Sequence, residues 1–169
     1  HRAHLHWLLK AGSDNQFVEA WNTNSSKFDY KNGEINPLHL MALYRRENLL
    51  SRVPGIEKYS RLKDSLGKTA GHYAAMVGND AFLKKLQNPE RTIGYFDEEK
   101  NYPIHLAVEL GHFEIAKWMI DTFDLKTINE AGSPKRQSIP ANWPISAFKV
   151  RYSLYSSSWK MDQWMIFVL

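Results

Sequence analysis

The chain has 169 residues, of which 43% are hydrophobic and 13% aromatic, and this composition suits one globular domain with a hydrophobic core rather than a disordered segment. It contains no cysteine, which excludes disulfide bridges, thiolate metal sites and cysteine nucleophiles and agrees with a reducing compartment. The formal charge of +4 is a mild excess, and no apolar run approaches the roughly 20 residues that cross a bilayer.

Four histidines, each 33 residues after the previous one, mark a pattern that repeats along the chain: His6, His39, His72 and His105. The best preserved copy, Asp64 to Leu86, reads DSLGKTAGHYAAMVGNDAFLKKL. A fixed period of this size indicates stacked supersecondary units. The pattern divides the chain into repeats one to four, at about 1–30, 31–63, 64–96 and 97–130, and an irregular fifth, 131–169.

Repeats one and two are each predicted to hold two helices. Repeat one places its apolar residues on either side of Gly12: Leu5, Trp7, Leu8 and Leu9, then Phe17, Val18, Ala20 and Trp21. Repeat two begins at Asn36-Pro37, an N-cap side chain followed by proline at the first helical position, and its second helix is expected to end at Pro54-Gly55. Arg45 stands where the other repeats have glycine, which predicts a strained or altered turn.

Repeats three and four are the most regular. Gly78 and Gly111 separate their paired helices, and Asn88-Pro89 is predicted to end the second helix of repeat three, because the residue before proline is driven out of helical geometry. Repeat four has an apolar set that is expected in the core: Ile104, Leu106, Ala107, Ile115, Ala116, Trp118 and Met119.

The fifth repeat departs from the regular spacing. Trp143-Pro144-Ile145 echoes Tyr102-Pro103-Ile104 after an insertion, which predicts an elongated first helix. That helix would carry a stripe of apolar and aromatic residues on one face: Ile145, Phe148, Tyr152, Tyr155 and Trp159. Two interpretations stay open, since the stripe could pack on repeat four or dock a partner.

These features together resemble the ankyrin repeat family, whose repeat has a turn, two antiparallel helices and a T-P-L-H-x-A signature. Repeat four departs from that signature where Lys100 replaces the turn glycine and Tyr102 the threonine. The resemblance implies an all-α solenoid of stacked helix-turn-helix units with hairpin-like turns. It also implies that the four spaced histidines brace the starts of the first helices. We expect one ankyrin-repeat domain over 1–169, cut from a longer protein.

The sequence contains no recognisable catalytic pattern. Gly67-Lys68-Thr69 lacks the first glycine of a phosphate-binding loop, because residue 62 is leucine, and the repeat itself requires these three residues in a turn. His4 and His6 could supply two metal ligands, but the sequence places no third. We therefore expect no catalytic residue, no cofactor and no metal in this chain.

The family resemblance also implies a concave surface formed by the turns and the first helices, where side chains are free to contact a partner. The turn candidates are Asn32, Ile35, Ser65, Leu66, Lys68, Glu98, Glu99 and Asn101. The first-helix candidates are Leu43, Tyr44, Met76, Val77, Glu109 and Leu110. Five of these make what we call the apolar strip: Leu43, Tyr44, Met76, Val77 and Leu110. The strip could bind a partner, or hairpin loops or further chain could cover it.

The function that these features favour is protein–protein interaction, with another protein as partner and no small-molecule substrate. The alternative is that the chain is the targeting or scaffold part of a larger enzyme or secreted bacterial effector, with catalysis elsewhere. Basic residues are scattered rather than gathered on one face, so nucleic acid or an acidic membrane is not the expected partner. The expected location is intracellular and cytoplasmic, in the host cytosol for an effector.

Overall fold

The structure is a computed structural model that describes residues 2–24 and 28–122. In this part the chain forms eight α-helices and no β-strand: α1 (Arg2–Ala11), α2 (Asp14–Asn24), α3 (Pro37–Leu43), α4 (Ala70–Val77), α5 (Asp80–Lys85), α6 (Glu90–Ile93), α7 (Pro103–Glu109) and α8 (Phe113–Thr122). The predicted fifth repeat, with its apolar and aromatic stripe, lies outside the described residues.

The first helices of the four repeats stack side by side in the order α1, α3, α4, α7. The second helices α2, α5 and α8 pack against their own first helices. Two backbone hydrogen bonds join successive turns, from Gly33 N to Lys63 O at 2.8 Å and from Glu98 N to Leu66 O at 3.0 Å. The predicted all-α solenoid is confirmed.

Repeat two lacks a regular second α-helix. The expected helix is reduced to a 3-10 turn at Glu47–Leu49, followed by another at Ile56–Tyr59. Pro54 disfavours helical geometry at Val53, and the regular helix that the sequence suggested up to Pro54-Gly55 is absent from residues 46–55. Leu49 and Val53 are nevertheless buried, so the short turn still covers the core.

Helix α3 begins as predicted, with a side chain that accepts hydrogen bonds from free backbone N–H groups. At the start of α3, Asn36 Oδ1 accepts hydrogen bonds from Leu38 N at 2.9 Å and His39 N at 3.3 Å, and Pro37 occupies the first turn. Capping of this kind contributes about 1 kcal/mol to helix stability.

Two of the spaced histidines, His39 and His72, link the start of their own helix to the turn that follows. In repeat three, Thr69 N donates to His72 Nδ1 at 3.0 Å, which leaves Nε2 to donate to Asn101 O of repeat four at 2.9 Å. His39 forms the same pair of bonds with Asn36 N and Leu62 O. The expected bracing role is therefore seen at His39 and His72.

The turns between helices hold two non-glycine residues in left-handed geometry. Arg45 has φ of 56° and Lys100 has φ of 67°, at the positions where the repeat calls for glycine. A side chain in this region costs roughly 1–2 kcal/mol. The strain predicted at Arg45 is present.

Repeat three ends differently from the prediction. Helix α5 already stops at Lys85, and Pro89 precedes a further short helix, α6, instead of simply ending the previous one. Helix α6 is bonded to the start of α4, because the Thr92 hydroxyl accepts a hydrogen bond from Gly71 N at 2.7 Å.

Two tryptophans are less buried than the sequence suggested. Trp7 is 55% exposed, although Leu40 and Leu106, at the same place in their repeats, are 8% and 9% exposed. Leu40 and Leu106 each have a preceding first helix beside them in the stack, whereas α1 is the first helix described. Trp118 is only half-buried, unlike its neighbours Ile115 and Met119.

Candidate functional site

The apolar strip lies at the carboxyl-terminal ends of α3, α4 and α7. Leu43, Tyr44, Met76 and Val77 are half-buried, and Leu110 is 53% exposed. The first helices are neighbours in the stack, so residues at one repeat position fall next to each other. The structure thus places the five predicted residues at two adjacent repeat positions on three neighbouring helices.

Side chains from the two flanking repeats fix the backbone in the middle of the strip. The Arg45 guanidinium of repeat two donates to Val77 O, and His112 Nε2 of repeat four donates to Met76 O at 3.0 Å. Both acceptors are free carbonyls at the end of α4, where a positive or donating group is favoured. Met76 and Val77 are therefore presented on a rigid support.

In repeats two, three and four, the side chain at one position of the inter-helix turn donates a hydrogen bond to the preceding repeat. Arg46 donates to Leu9 O at 3.2 Å and to Asp14 Oδ1 at 2.9 Å, and Asn79 donates to Ala42 O at 3.1 Å. With His112, these residues recur every 33 positions. Sequence reasoning treated Arg46 as a scattered surface charge; this shared register was the signal that could have identified its role.

The turn tips carry the predicted polar candidates. Ser65, Glu98 and Glu99 are exposed, and Leu66 and Ile35 are 55% and 43% exposed. These five side chains are available to a partner.

The other three turn candidates have structural contacts. Asn32 is exposed, but its Oδ1 accepts a hydrogen bond from Lys63 N at 2.9 Å. Asn101 is half-buried, and its carbonyl accepts from His72. The Lys68 ammonium lies 3.0 Å from Asp97 Oδ2, and the Asp97 side chain is fully buried. Lys68 therefore joins the turns of repeats three and four, which leaves little of its charge for a partner.

Asp64 plays a similar organising role one repeat earlier. Its Oδ1 accepts from Leu66 N and Lys68 N, both at 2.8 Å, and its Oδ2 accepts from the Tyr73 hydroxyl at 2.7 Å. Burial opposes ionisation of this carboxyl group, but these hydrogen bonds hold the pKa of Asp64 below its usual value. Burial and the Asp64 hydrogen bond both raise the pKa of Tyr73.

An open groove of about 540 Å³ runs between the turns of repeats two, three and four. Its lining includes three of the predicted turn candidates, Asn32, Ser65 and Glu98. It also includes Lys63, Phe96 and Lys100, which were not predicted to contact a partner. Lys63 Nζ donates to Phe96 O at 2.9 Å, and Lys100 Nζ lies 4.6 Å from the centre of the Phe96 ring. Both lysines are thus engaged by the wall of the groove.

Burial keeps three of the four spaced histidines uncharged near neutral pH. Burial lowers the pKa of His39, His72 and His105 to about 4 in each case. His4 stacks on Trp7, and His6 stacks on Tyr30. No group of three or more candidate metal ligands occurs among residues 2–24 and 28–122.

Comparison with known proteins identifies the repeat. A family model described as ankyrin repeats (3 copies) matches residues 38–129, more than half of the chain. None of the curated proteins compared with the chain matches it. In the described part, no helix has the length and apolar character needed to cross a membrane.

Proposed function

The chain belongs to the ankyrin repeat family, and from this premise we propose that it binds a partner protein through the apolar strip and the exposed turn tips. Ankyrin repeats are generally protein–protein interaction modules and are typically non-catalytic. The partner would rest on the side chains of the first helices, with the turn tips as a polar rim.

The observation that carries this proposal is the continuity of the apolar strip. Its side chains remain partly exposed across three neighbouring repeats, whereas single exposed apolar residues are ordinary on protein surfaces. The strip also has a rigid base, because Arg45 and His112 hold the end of α4 from both sides. A preformed surface loses little conformational entropy on binding.

The test is capture of partner proteins from a cell lysate, with the native chain compared with a Tyr44→Asp/Met76→Asp variant. We expect the native chain to retain a protein that the variant does not. The control is Ser51→Asp/Gln87→Asp, which adds the same charges at exposed positions of the same two repeats but outside the strip. Circular dichroism and thermal unfolding establish that all three proteins are folded. Equal retention by the folded strip variant would refute the proposal.

A further inference from the structure

The apolar strip ends in opposite charges. The repeat position of Leu43 and Met76 is occupied by Lys10 in repeat one and by Glu109 in repeat four. Both side chains are exposed. Within the described residues, neither of them has an ion-pair partner.

Repeat four has two further exposed carboxylates, in the turn that precedes α7 and so at the other end of this helix from Glu109. Glu98 and Glu99 are exposed at its turn tip, while Lys100 is held over the Phe96 ring. Repeat four is thus acidic in a chain whose formal charge is +4. In the middle of the strip, the Arg45 guanidinium is occupied by the Val77 carbonyl.

We propose, resting on the function proposed above, that the strip binds an amphipathic α-helix of the partner protein, with a basic end over Glu109 and an acidic end over Lys10. Three steps between packed helices span about 24–30 Å. A helix of about 16–20 residues covers this distance.

A helix fits this surface better than an extended peptide. The backbone N–H groups beneath the strip are bonded within their helices, and the Met76 and Val77 carbonyl groups accept from His112 and Arg45, so an extended peptide would find no free backbone donors there. A helix satisfies its own backbone and presents only side chains.

The test uses three synthetic 18-residue helical peptides with one leucine face and different ends. One peptide is basic at one end and acidic at the other, the second is acidic at both ends, and the third is basic at both. Fluorescence anisotropy measures the Kd of each peptide for the native chain, for Glu109→Lys and for Lys10→Glu.

The native chain should bind the mixed peptide most tightly, Glu109→Lys the doubly acidic peptide, and Lys10→Glu the doubly basic one. Each mismatched end should weaken binding by about two- to fivefold, as expected for exposed ion pairs, and 1 M salt should reduce the differences.

The two proposals fail in different ways. If peptides bind and the Tyr44→Asp/Met76→Asp variant loses them, but all three proteins rank the peptides alike, only the charge-directed orientation is overturned. If no peptide binds the native chain, or if the strip variant binds as well as the native chain, the helix-binding strip is overturned together with the orientation.

Discussion

His112 Nε2 lies 3.0 Å from the carbonyl oxygen of Met76, so a side chain of repeat four holds the backbone of repeat three directly beneath the apolar strip. The imidazole also fills the space beside Gly78, where an added Cβ would approach His112 Nδ1 to 2.6 Å. Gly78 itself has φ of 67°. The turn therefore needs glycine both for its backbone geometry and for the contact.

We predict that Gly78→Ala and His112→Ala are coupled. His112→Ala should lower the free energy of unfolding by about 1 kcal/mol, through loss of one hydrogen bond. Gly78→Ala should cost more in the native chain than in the His112→Ala background, because only the native chain has the clash. Urea unfolding of the four proteins in a double-mutant cycle measures the difference, and strictly additive costs would contradict the prediction.

Lys68→Met should destabilise the fold by about 3 kcal/mol, because it leaves the buried Asp97 carboxylate without its ion-pair partner. The matched control is Lys84→Met, which breaks a half-exposed pair with Asp80 and should cost less than about 1 kcal/mol. Equal costs in urea unfolding would argue against a structural role for Lys68 and return it to the candidate partner contacts.

Stability should fall as the pH drops below neutral. The pKa of His39, His72 and His105 is about 4 in the folded protein and 6.5 in the unfolded chain. The unfolded state therefore binds more protons between these values, so this stabilisation is complete above about pH 6.5 and is lost as the pH falls towards 4.

Unfolding at pH 5 should take up about two to three protons through these histidines, which the pH dependence of the unfolding free energy reports. His72→Gln removes one of the three groups, so it should reduce the slope between pH 5 and 6.5 by about a third. An unchanged slope in the folded variant would show that His72 is not among the groups responsible.

Arg45→Gly should be more stable than Arg45→Ala by about 1 kcal/mol. Both variants lose the hydrogen bond to Val77 O, but alanine retains the strain of the left-handed backbone, whereas glycine relieves it. Thermal unfolding of the pair isolates the backbone contribution, and equal midpoints would mean that the turn has another conformation.

The half-burial of Trp118 predicts a smaller loss of stability than its size suggests. Met119 is 1% exposed, so Met119→Ala should cost about 2–5 kcal/mol. Trp118→Ala should cost less than the roughly 3–5 kcal/mol typical of a fully buried aromatic residue. Urea unfolding compares the two, and a cost above that range for Trp118→Ala would place its side chain in the core.

Features that depend on local backbone geometry could be predicted from the sequence. The start of α3 at Asn36-Pro37 and the strain at Arg45 follow from residue type and position in the repeat, and the bond of His72 to its own helix start was implied by the family resemblance. Each depends mainly on a few neighbouring residues, so a 33-residue period is enough to locate it.

Features that depend on packing between repeats were harder to predict. The reach of Arg46 to Leu9 O and the pairing of Lys68 with Asp97 join residues about one repeat apart. The residue type of a long charged side chain does not indicate which residue it will contact. The apolar strip could be proposed from the sequence because its members occupy two adjacent repeat positions. The order of the stacked helices was needed to place Lys10 and Glu109 at opposite ends of the strip.

The contacts between repeats run in opposite directions on the two edges of the stack. At the helix starts, His72 reaches forward to Asn101, while at the inter-helix turns His112 reaches back to Met76. Two adjacent repeats therefore cannot separate by breaking the contacts at one edge, since those at the other edge still hold them. Under a pulling force we expect such neighbours to separate in one concerted step, with few partly opened forms between the closed and the detached state.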